Sequence, residues 1–254
     1  MLILLPPSEG KTPAARGRPL DLGTLSFPEL TSTRRAVVEA VAATSGHPDA
    51  HDRLGVSPHL TEEVARNTRL LTAPTAPAGK VYSGVLYAAL DLASLDPAAR
   101  RRANRWLLVV SALFGAVRMG DRVPAYRLSM AVNLPPLGPL AAVWREPLAA
   151  VLPGTVGRGV VVDCRSSTYA AAWLPSGPLT RRWVQVRVPG ATHQAKHTRG
   201  LVARHLCEVG LDARTPRGLA EVVGRAFDVD LTAPTRVGQP WVLDAVVRAS
   251  GGAA

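Results

Sequence analysis

The stretch Met1-Leu2-Ile3-Leu4-Leu5-Pro6-Pro7 opens the chain with five apolar residues and closes them with two prolines. A short apolar run that ends at a helix and strand breaker predicts a buried strand. Two later runs have the same form, because Trp106–Val110 ends at Ser111 and Val160–Val162 ends at Asp163. Helical segments lie between these runs. This order of elements predicts an α/β protein, with a mixed α+β arrangement as the alternative.

Other segments predict further elements by their composition and turn residues. We expect helices over residues 31–43, 59–71, 81–95, 97–104, 137–152, 169–173, 198–207 and 216–226, and strands over 183–188 and 242–247. Residues 12–28 and 112–130 are expected to form loops. No boundary divides the chain, so we predict a single domain over 1–254 with a central sheet and a flexible Gly/Ala tail over 248–254.

The composition excludes several classes of protein. The 254 residues are 47% hydrophobic, which is near the average for globular proteins and too high for a disordered chain. Two cysteines, Cys164 and Cys207, are too few for a disulfide scaffold or a cysteine-based zinc site. No apolar run approaches the roughly 20 residues of a membrane span, and no secretory signal is recognisable. We therefore expect a cytoplasmic protein.

The net charge of +11 indicates a polyanionic or acidic partner, since clustered basic residues bind phosphate groups. The alternative is a compositional bias that replaces surface lysine by arginine. Lysines occur only at Lys11, Lys80 and Lys196, so the other 27 of the 30 basic residues are arginines. In such a chain a lysine indicates a position that needs a titratable or compact amine. Lys11 and Lys196 lie in motif-like segments.

Polar residues follow each of the three buried runs. Ser8-Glu9-Gly10-Lys11 follows the first, Ser111 the second, and Asp163, Arg165 and Ser166 the third. Ligands of open α/β sheets bind outside the carboxyl ends of the strands, so parallel neighbours would bring these loops to one pocket. There Glu9 would hold Lys11 or act as a base. A solvated Glu9–Lys11 ion pair is the alternative.

Two further segments are rich in polar groups. Asp121 is expected to pair with Arg127 or Arg118 in either a functional or a structural pair. Thr198 is the expected N-cap of a helix preceded by a basic turn, with no HExxH pattern for zinc. For the cysteines, we expect Cys207 in the core and consider a lowered pKa for Cys164 beside Arg165.

The helices predicted over 31–43 and 59–71 flank a turn at residues 52–58 that contains Gly55. Arg34, Arg35 and Glu39 are expected to point outward from the first helix. This layout is typical of an ordinary helical hairpin, and also of a hairpin whose turn amides contact a phosphate backbone.

Several motifs, in order along the chain, resemble those of the YaaA family of peroxide stress response proteins. Met1–Thr12 is similar to the N-terminal signature of the family, and Tyr82–Tyr87 is similar to its Y/F-x-G-x-x-Y segment. Residues 111–121 and 126–130 resemble its SGLYGxLxPxD and PYRLEM segments, with Ala112 in place of a usual glycine. The matches to its S-x-x-Y and K-x-x-RG motifs are Ser166, Tyr169, Lys196, Arg199 and Gly200.

The resemblance implies a single α/β domain with a positively charged cleft and a helix-hairpin-helix-like element over 31–71. It implies cytosolic DNA binding and a role in limiting peroxide damage linked to intracellular iron. The chain departs from the family pattern at Arg118-Met119-Gly120 and at Thr168, where an acidic residue is common. Arg165 adds a cation beside Ser166.

Two functions remain open at this point. The first is binding of duplex or branched DNA through phosphates, without sequence specificity, with Gly55, Arg66 and Arg69 as the contact residues. The second is an enzyme for a small anionic substrate such as a nucleotide or nucleoside derivative. Its candidate catalytic residues are Lys11, Lys196, Glu9 and Asp121. Its candidate cleft residues are Ser8, Ser111, Tyr126, Arg127, Arg165, Ser166, Tyr169 and Arg199. We expect a monomer with no cofactor, no metal and no membrane contact.

Overall fold

The structure, a computed structural model, describes residues 1–190 and 192–248, except for the side chains of residues 192 and 193. Its strands are β1 (Leu2–Leu5), β2 (Ala76–Pro77), β3 (Leu107–Ser111), β4 (Gly115–Arg118), β5 (Arg122–Val123), β6 (Asn133–Leu134), β7 (Gly138–Pro139), β8 (Val161–Asp163), β9 (Trp183–Arg187), β10 (Phe227–Thr232) and β11 (Trp241–Val247). Its helices are α1 (Thr31–Ser45), α2 (Ala50–Leu54), α3 (Thr61–Arg66), α4 (Ala78–Val81), α5 (Val85–Leu90), α6 (Pro97–Trp106), α7 (Leu140–Thr155), α8 (Ser167–Ala170), α9 (Thr192–Val209) and α10 (Pro216–Val223).

Seven strands form one sheet in the order β10-β11-β9-β8-β1-β3-β4. The strands from β11 to β3 run parallel, and β10 and β4 pair antiparallel at the two edges. In the middle, Ile3 of β1 lies between Leu107 of β3 and Val162 of β8. These three strands are buried throughout, as expected for strands covered on both faces. The prediction of an α/β protein with a central sheet is confirmed.

Helices pack on this sheet in two groups. Helices α5, α6 and α10 pack against α9, with α6 on β3 and with α9 and α10 on the β10–β11 edge, while α7 contacts β4 and α1. Trp144 of α7 is fully buried and donates a hydrogen bond from Nε1 to the Ala112 carbonyl oxygen at 2.7 Å. In the part of the chain that the structure describes, no helix combines the length and apolarity needed to cross a membrane.

Helix α9 begins earlier than the sequence predicts. Thr198, the expected N-cap, lies within the helix and is buried, because α9 starts at Thr192. The helix crosses α5 at Gly200, where a β-carbon would collide with the Leu86 carbonyl oxygen. This close approach fixes the position of Lys196 and Arg199, which lie one turn and one residue before Gly200.

The segment 112–130, predicted as a loop, contains β4 and β5. The chain reverses after β3, and β4 pairs antiparallel with it from Leu108–Arg118 to Ser111–Gly115. The Ser111 hydroxyl oxygen accepts hydrogen bonds from the amides of Leu113 and Phe114 and so stabilises the turn. A turn that is stabilised by a serine side chain leaves no alternation of apolar and polar residues in the sequence. The sequence therefore did not predict this hairpin.

Other differences concern helix lengths and one strand. Of the helix predicted over 81–95, α5 covers only Val85–Leu90, because Gly84 before it and Asp91 after it adopt positive φ angles of 90° and 39°. Strand β10 is absent from the prediction although Phe227-Asp228-Val229-Asp230-Leu231-Thr232 alternates apolar and polar residues. Of the predicted tail over 248–254, only Arg248 lies within the described residues. Its guanidinium donates to the Gly224 carbonyl oxygen at 2.6 Å.

The region predicted as a helical hairpin contains α1, α2 and α3. Helix α2 reaches Leu54, so the turn is narrower than residues 52–58 and begins at Gly55, whose φ is 61°. Helix α3 is shorter than predicted and has single 3-10 turns on both sides, at Pro58–Leu60 and Asn67–Arg69. A helix-hairpin-helix function for this region stays a prediction.

Arg34 of α1 points inward, contrary to the prediction that it faces solvent. Its side chain is fully buried, and its guanidinium donates to four carbonyl oxygens, those of Phe114, Phe27, Ser26 and Ala116. The hydrogen bonds from the guanidinium to these carbonyl oxygens offset part of the free-energy cost of burying its charge. Arg34 thereby connects α1 to the last residue of the β3–β4 turn and to β4.

We predict that Arg34→Ala destabilises the protein by about 3 kcal/mol, because it removes the guanidinium donors from four carbonyl oxygens in and beside the core and opens a cavity. Urea unfolding followed by circular dichroism measures this loss. Arg35→Ala is the matched control, because Arg35 is exposed on the same helix. Equal stability of the two variants would contradict the structural role of Arg34.

Candidate anion-binding cleft

A cleft of about 550 Å³ opens where the chain leaves β1 and β8. Pro6–Gly10, directly after β1, forms one side, and Ser166, after β8, contributes to another. The loops after two adjacent parallel strands therefore meet in one place, as the sequence predicts. The volume falls in the range of small-molecule sites. The predicted site residues that line the cleft are Ser8, Glu9, Arg127, Ser166, Tyr169, Lys196 and Arg199.

Three cations and one carboxylate face the cleft. The Glu9 carboxylate lies between two of the cations, with Oε2 3.7 Å from Arg127 Nη2 and Oε1 3.8 Å from Lys196 Nζ. Arg199 completes the set and donates from Nε to the Val186 carbonyl oxygen at 3.2 Å. The cations come from two distant parts of the chain, the loop after β5 and helix α9. This convergence makes the cleft electropositive.

Lys11 lies beneath the loop that borders the cleft. Its Nζ donates to the Ser8 carbonyl oxygen at 2.8 Å and sits 4.0 Å from the centre of the Tyr126 ring. Burial, together with the nearby Arg127 charge, lowers the pKa of Lys11 to about 7, although Glu9 opposes the shift. The Glu9 carboxylate is directed at Arg127 and Lys196 rather than forming the solvated Glu9–Lys11 pair considered from the sequence.

A cluster of buried hydroxyl groups supports Lys11. The Ser111 hydroxyl is 2.7 Å from that of Tyr126, which is 3.2 Å from that of Tyr82. Because Ser111 already accepts two backbone amides, its own proton goes to Tyr126. Burial raises the pKa of both tyrosines, so they remain neutral. Ser111 and Tyr126, predicted as cleft residues, therefore lie behind the cleft wall.

Residues 82–87 form part of the site but were not among the site residues predicted from the sequence. The Ser83 amide donates to Ser8 Oγ at 3.0 Å, and the Tyr87 hydroxyl donates to the Pro6 carbonyl oxygen at 2.7 Å. Tyr87 also stacks on Tyr82. These contacts hold the loop after β1 in place. The signal available in the sequence was the Y/F-x-G-x-x-Y pattern of this segment.

Arg165 and Asp121 have structural contacts. The fully buried Arg165 binds Asp163 with both Nε and Nη2, at 2.8 and 2.7 Å, and, contrary to the prediction, does not line the cleft. Asp121 accepts from the amide and hydroxyl of Ser26 and from the Arg118 amide, instead of pairing with the Arg118 or Arg127 side chain. Both side chains tie loops together.

The two cysteines are buried. Burial raises the pKa of both thiols to about 12, so the lowered pKa considered for Cys164 is wrong, and Cys207 lies in the core as predicted. Within residues 1–190 and 192–248, no three His, Cys, Asp or Glu side chains gather as a metal site.

The predicted DNA contacts divide between two places. Gly55 lines the cleft, whereas Arg66 and Arg69 line a separate surface pocket of about 350 Å³. Arg66 lies 3.5 Å from Glu62 one turn earlier on α3.

A sequence model of the family described as "Peroxide stress protein YaaA" matches residues 1–230. The chain belongs to the YaaA family. It is 51% identical to a UPF0246 protein of Streptomyces coelicolor over 97% of this chain and 98% of that protein. UPF0246 proteins of Corynebacterium efficiens and Corynebacterium glutamicum strain R are 41% and 37% identical, covering 91% and 89% of this chain and 95% and 93% of their own lengths.

All but one of the segments that resemble YaaA motifs contribute to the cleft in the folded chain; the exception is 111–121. Residues 8–10, 83–87, 127–129, 166 and 169, and 196 and 199 all line it. Motifs separated by up to about 190 positions in the sequence thus form one surface of this YaaA family member. Thr168, where an acidic residue is common, lies on α8 between the cleft residues Ser166 and Tyr169.

We predict that Lys11 titrates near pH 7. Competitive labelling with acetic anhydride, followed by peptide mass spectrometry, measures the pH dependence of each amine, and the chain holds only three lysines. The reactivity of Lys11 is expected to reach half its maximum at about pH 7. Exposed Lys80 is the internal reference for reagent decay. A midpoint near 10.5, the ordinary value, would contradict the burial of this amine.

The lowered pKa of Lys11 also makes the stability of the protein depend on pH. Between about pH 7 and 10.5 the unfolded chain binds more protons at Lys11 than the folded chain, so the free energy of unfolding rises with pH in this window. We predict that this rise is smaller in Lys11→Met. Urea unfolding at pH 6.5, 8 and 9.5 measures the two slopes, and equal slopes would contradict the prediction.

Proposed function

We propose that this member of the YaaA family is an enzyme that acts on a small anionic substrate, a nucleotide or nucleoside derivative, in the cleft. The observation that carries the proposal is the convergence of Arg127, Lys196 and Arg199 on a concave site of about 550 Å³, beside the Lys11 amine, whose pKa burial lowers to about 7. Perturbed groups in a cleft are typical of catalytic sites.

The walls of the cleft differ in chemistry in a way that suits such a substrate. Val56, Val85 and Leu86 supply apolar surface, on which a base or sugar ring packs. Ser129, Ser166 and Tyr169 supply polar groups on the same lining, which suit sugar hydroxyls. A groove that only attracted phosphates would need neither set.

The candidate catalytic groups differ in their access to a substrate. The side chains of Glu9 and Lys196 are 76% and 56% exposed, so both reach the open cleft and are placed to exchange protons with a bound molecule. Lys11 is half-buried under the loop and is not part of the cleft lining, but burial lowers its pKa to about 7, so a large fraction of its amine is unprotonated and available as a base at neutral pH. Asp121 is outside this arrangement because its carboxylate oxygens serve Ser26 and the Arg118 amide.

The family description supports a role in peroxide stress. In this proposal the reaction in the cleft limits peroxide damage linked to intracellular iron, as the family resemblance implies. The chemistry of the reaction is set by Glu9, Lys11 and Lys196 rather than by the buried thiols, since the cysteines are held protonated in the core.

Binding of DNA is the second candidate. Its support is the placement of Arg66 and Arg69, at and after the end of α3, on one surface pocket, together with the net charge of +11. Such a surface binds phosphates without reading bases. It lies apart from the lining residues of the cleft, so the two functions are separable by mutation.

We predict that the double variant Lys196→Gln/Arg199→Gln loses ligand-induced stabilisation. A nucleotide at 100 times its Kd stabilises the folded chain by about 2.7 kcal/mol, and removing two cations from its site abolishes most of that gain. A thermal-shift screen of nucleotides and nucleosides measures the effect. Arg145→Gln, which removes an exposed cation from α7, is the control and keeps the full shift. Thermal shifts as large in the double variant as in the unmodified protein would contradict the assignment of Lys196 and Arg199 to the binding site.

For DNA, we predict that Arg66→Gln/Arg69→Gln lowers the slope of log affinity against log salt by about 2, because each lost phosphate contact removes about 0.9. Fluorescence anisotropy with a labelled duplex between 50 and 200 mM salt measures the slope. Arg145→Gln/Arg217→Gln removes two exposed arginines elsewhere and serves as the control. Identical slopes in both double variants would exclude this pocket as a DNA contact.

A further inference from the structure

Arg127 has a guanidinium whose hydrogen-bonding capacity is unused within the described residues. Its side chain is only 21% exposed, and its nearest carboxylate, Glu9, is 3.7 Å away, beyond hydrogen-bond distance. Its backbone amide, by contrast, donates to Asn67 Oδ1 at 2.9 Å. A guanidinium offers five N–H donors in a planar fork. A mostly buried fork that faces a cleft fits a ligand with several acceptor oxygens.

Lys196 and Arg199 add donors to the same side of the cleft. Lys196 Nζ is 3.8 Å from Glu9 Oε1, and among the residues that the structure describes it has no nearer acidic partner. Arg199 uses Nε for the Val186 carbonyl oxygen and retains its two terminal nitrogens. The Glu9 carboxylate thus sits between Arg127 and Lys196 without a hydrogen bond to either. It occupies the position that a bound anion would take.

The charges in the cleft specify the kind of anion. Arg127, Lys196 and Arg199 against Glu9 leave a net charge of +2. A phosphate monoester carries about −1.5 to −2 at pH 7 and has three terminal oxygens. A phosphodiester or a carboxylate carries one charge and has two such oxygens. We infer that the cleft binds a phosphate monoester group and that Glu9 is the internal carboxylate that this group displaces.

This inference rests on the proposed function and narrows its substrate class. It also separates the cleft from DNA binding, because an internal DNA phosphate is a diester. Glu9 has two consequences here. Its negative charge opposes phosphate entry, and its loose contacts, both longer than 3.5 Å, make displacement cheap. An exposed carboxylate at such distances contributes little to stability.

The test uses small probes that carry the anionic group without a base. Methyl phosphate, dimethyl phosphate and acetate are titrated into the full chain at pH 7.5 and followed by NMR. We expect methyl phosphate to bind about tenfold more tightly than either monoanion, since its additional charge and third terminal oxygen allow further charged hydrogen bonds. Equal affinities for methyl and dimethyl phosphate would overturn the monoester inference and leave an anion cleft in place.

Substitutions test the separate parts of the site. Arg127→Gln is expected to weaken methyl phosphate binding at least tenfold, and Arg127→Lys, which keeps the charge but not the fork, less so. Glu9→Gln removes the competing charge and is expected to strengthen binding about two- to fivefold. Weaker binding by Glu9→Gln would overturn the role of Glu9 as a displaced carboxylate. Unfolding curves confirm that each variant is folded, with Arg145→Gln as the charge control.

The failure of the narrower claim is distinguishable from the failure of the proposed function. If dimethyl phosphate or acetate binds as well as methyl phosphate, and Lys196→Gln/Arg199→Gln abolishes all three, the cleft binds anions but not monoesters in particular. If none of the probes, and no nucleotide, shifts a cleft resonance or the melting temperature, both the inference and the proposed function fail.

Discussion

The parallel pairing of β1 with β3 and β8 is the constraint on which the rest of the structure depends. Parallel strands end on the same side of a sheet, so their outgoing loops must share space. The apolar side chains of the three strands are fully buried, which fixes their register to the core. The loop after β1 therefore cannot move away from the segment after β8. A cleft between them is a geometric consequence of the core.

The environment of Lys11 follows from the same constraint. The loop after β1 folds back so that the Lys11 amine lies between the Ser8 carbonyl oxygen of the same loop and the Tyr126 ring. The Tyr126 hydroxyl is in turn held by a hydrogen bond with Ser111 at the end of β3. The core strands thus hold the base of the loop through buried hydroxyls. Desolvation by this packing, more than any single charge, accounts for the lowered pKa of Lys11. The position has a cost in stability that an ordinary surface lysine would not have.

How far the sequence predicts this arrangement depends on whether a residue acts through a local pattern or through distant contacts. The apolar runs at β1, β3 and β8 predicted the sheet and the meeting of loops at its edge. Local patterns could not show that Arg34 is buried, because two of its acceptors, the Phe114 and Ala116 carbonyl oxygens, lie 80 and 82 positions away. Tyr87 and Ser83 were missed for the same reason, since their partners lie about 75–81 positions away.

The arginines show why net charge alone is a poor guide to function. Arg34 and Arg165 are fully buried, and their donors are met by carbonyl oxygens and by Asp163, so they stabilise the fold. Arg127 is mostly buried as well, yet its nearest carboxylate is 3.7 Å away. Burying a guanidinium without acceptors is costly, and a site that retains such a group is suited to a ligand that provides them. The difference between these arginines therefore lies in hydrogen-bond partners rather than in charge or burial.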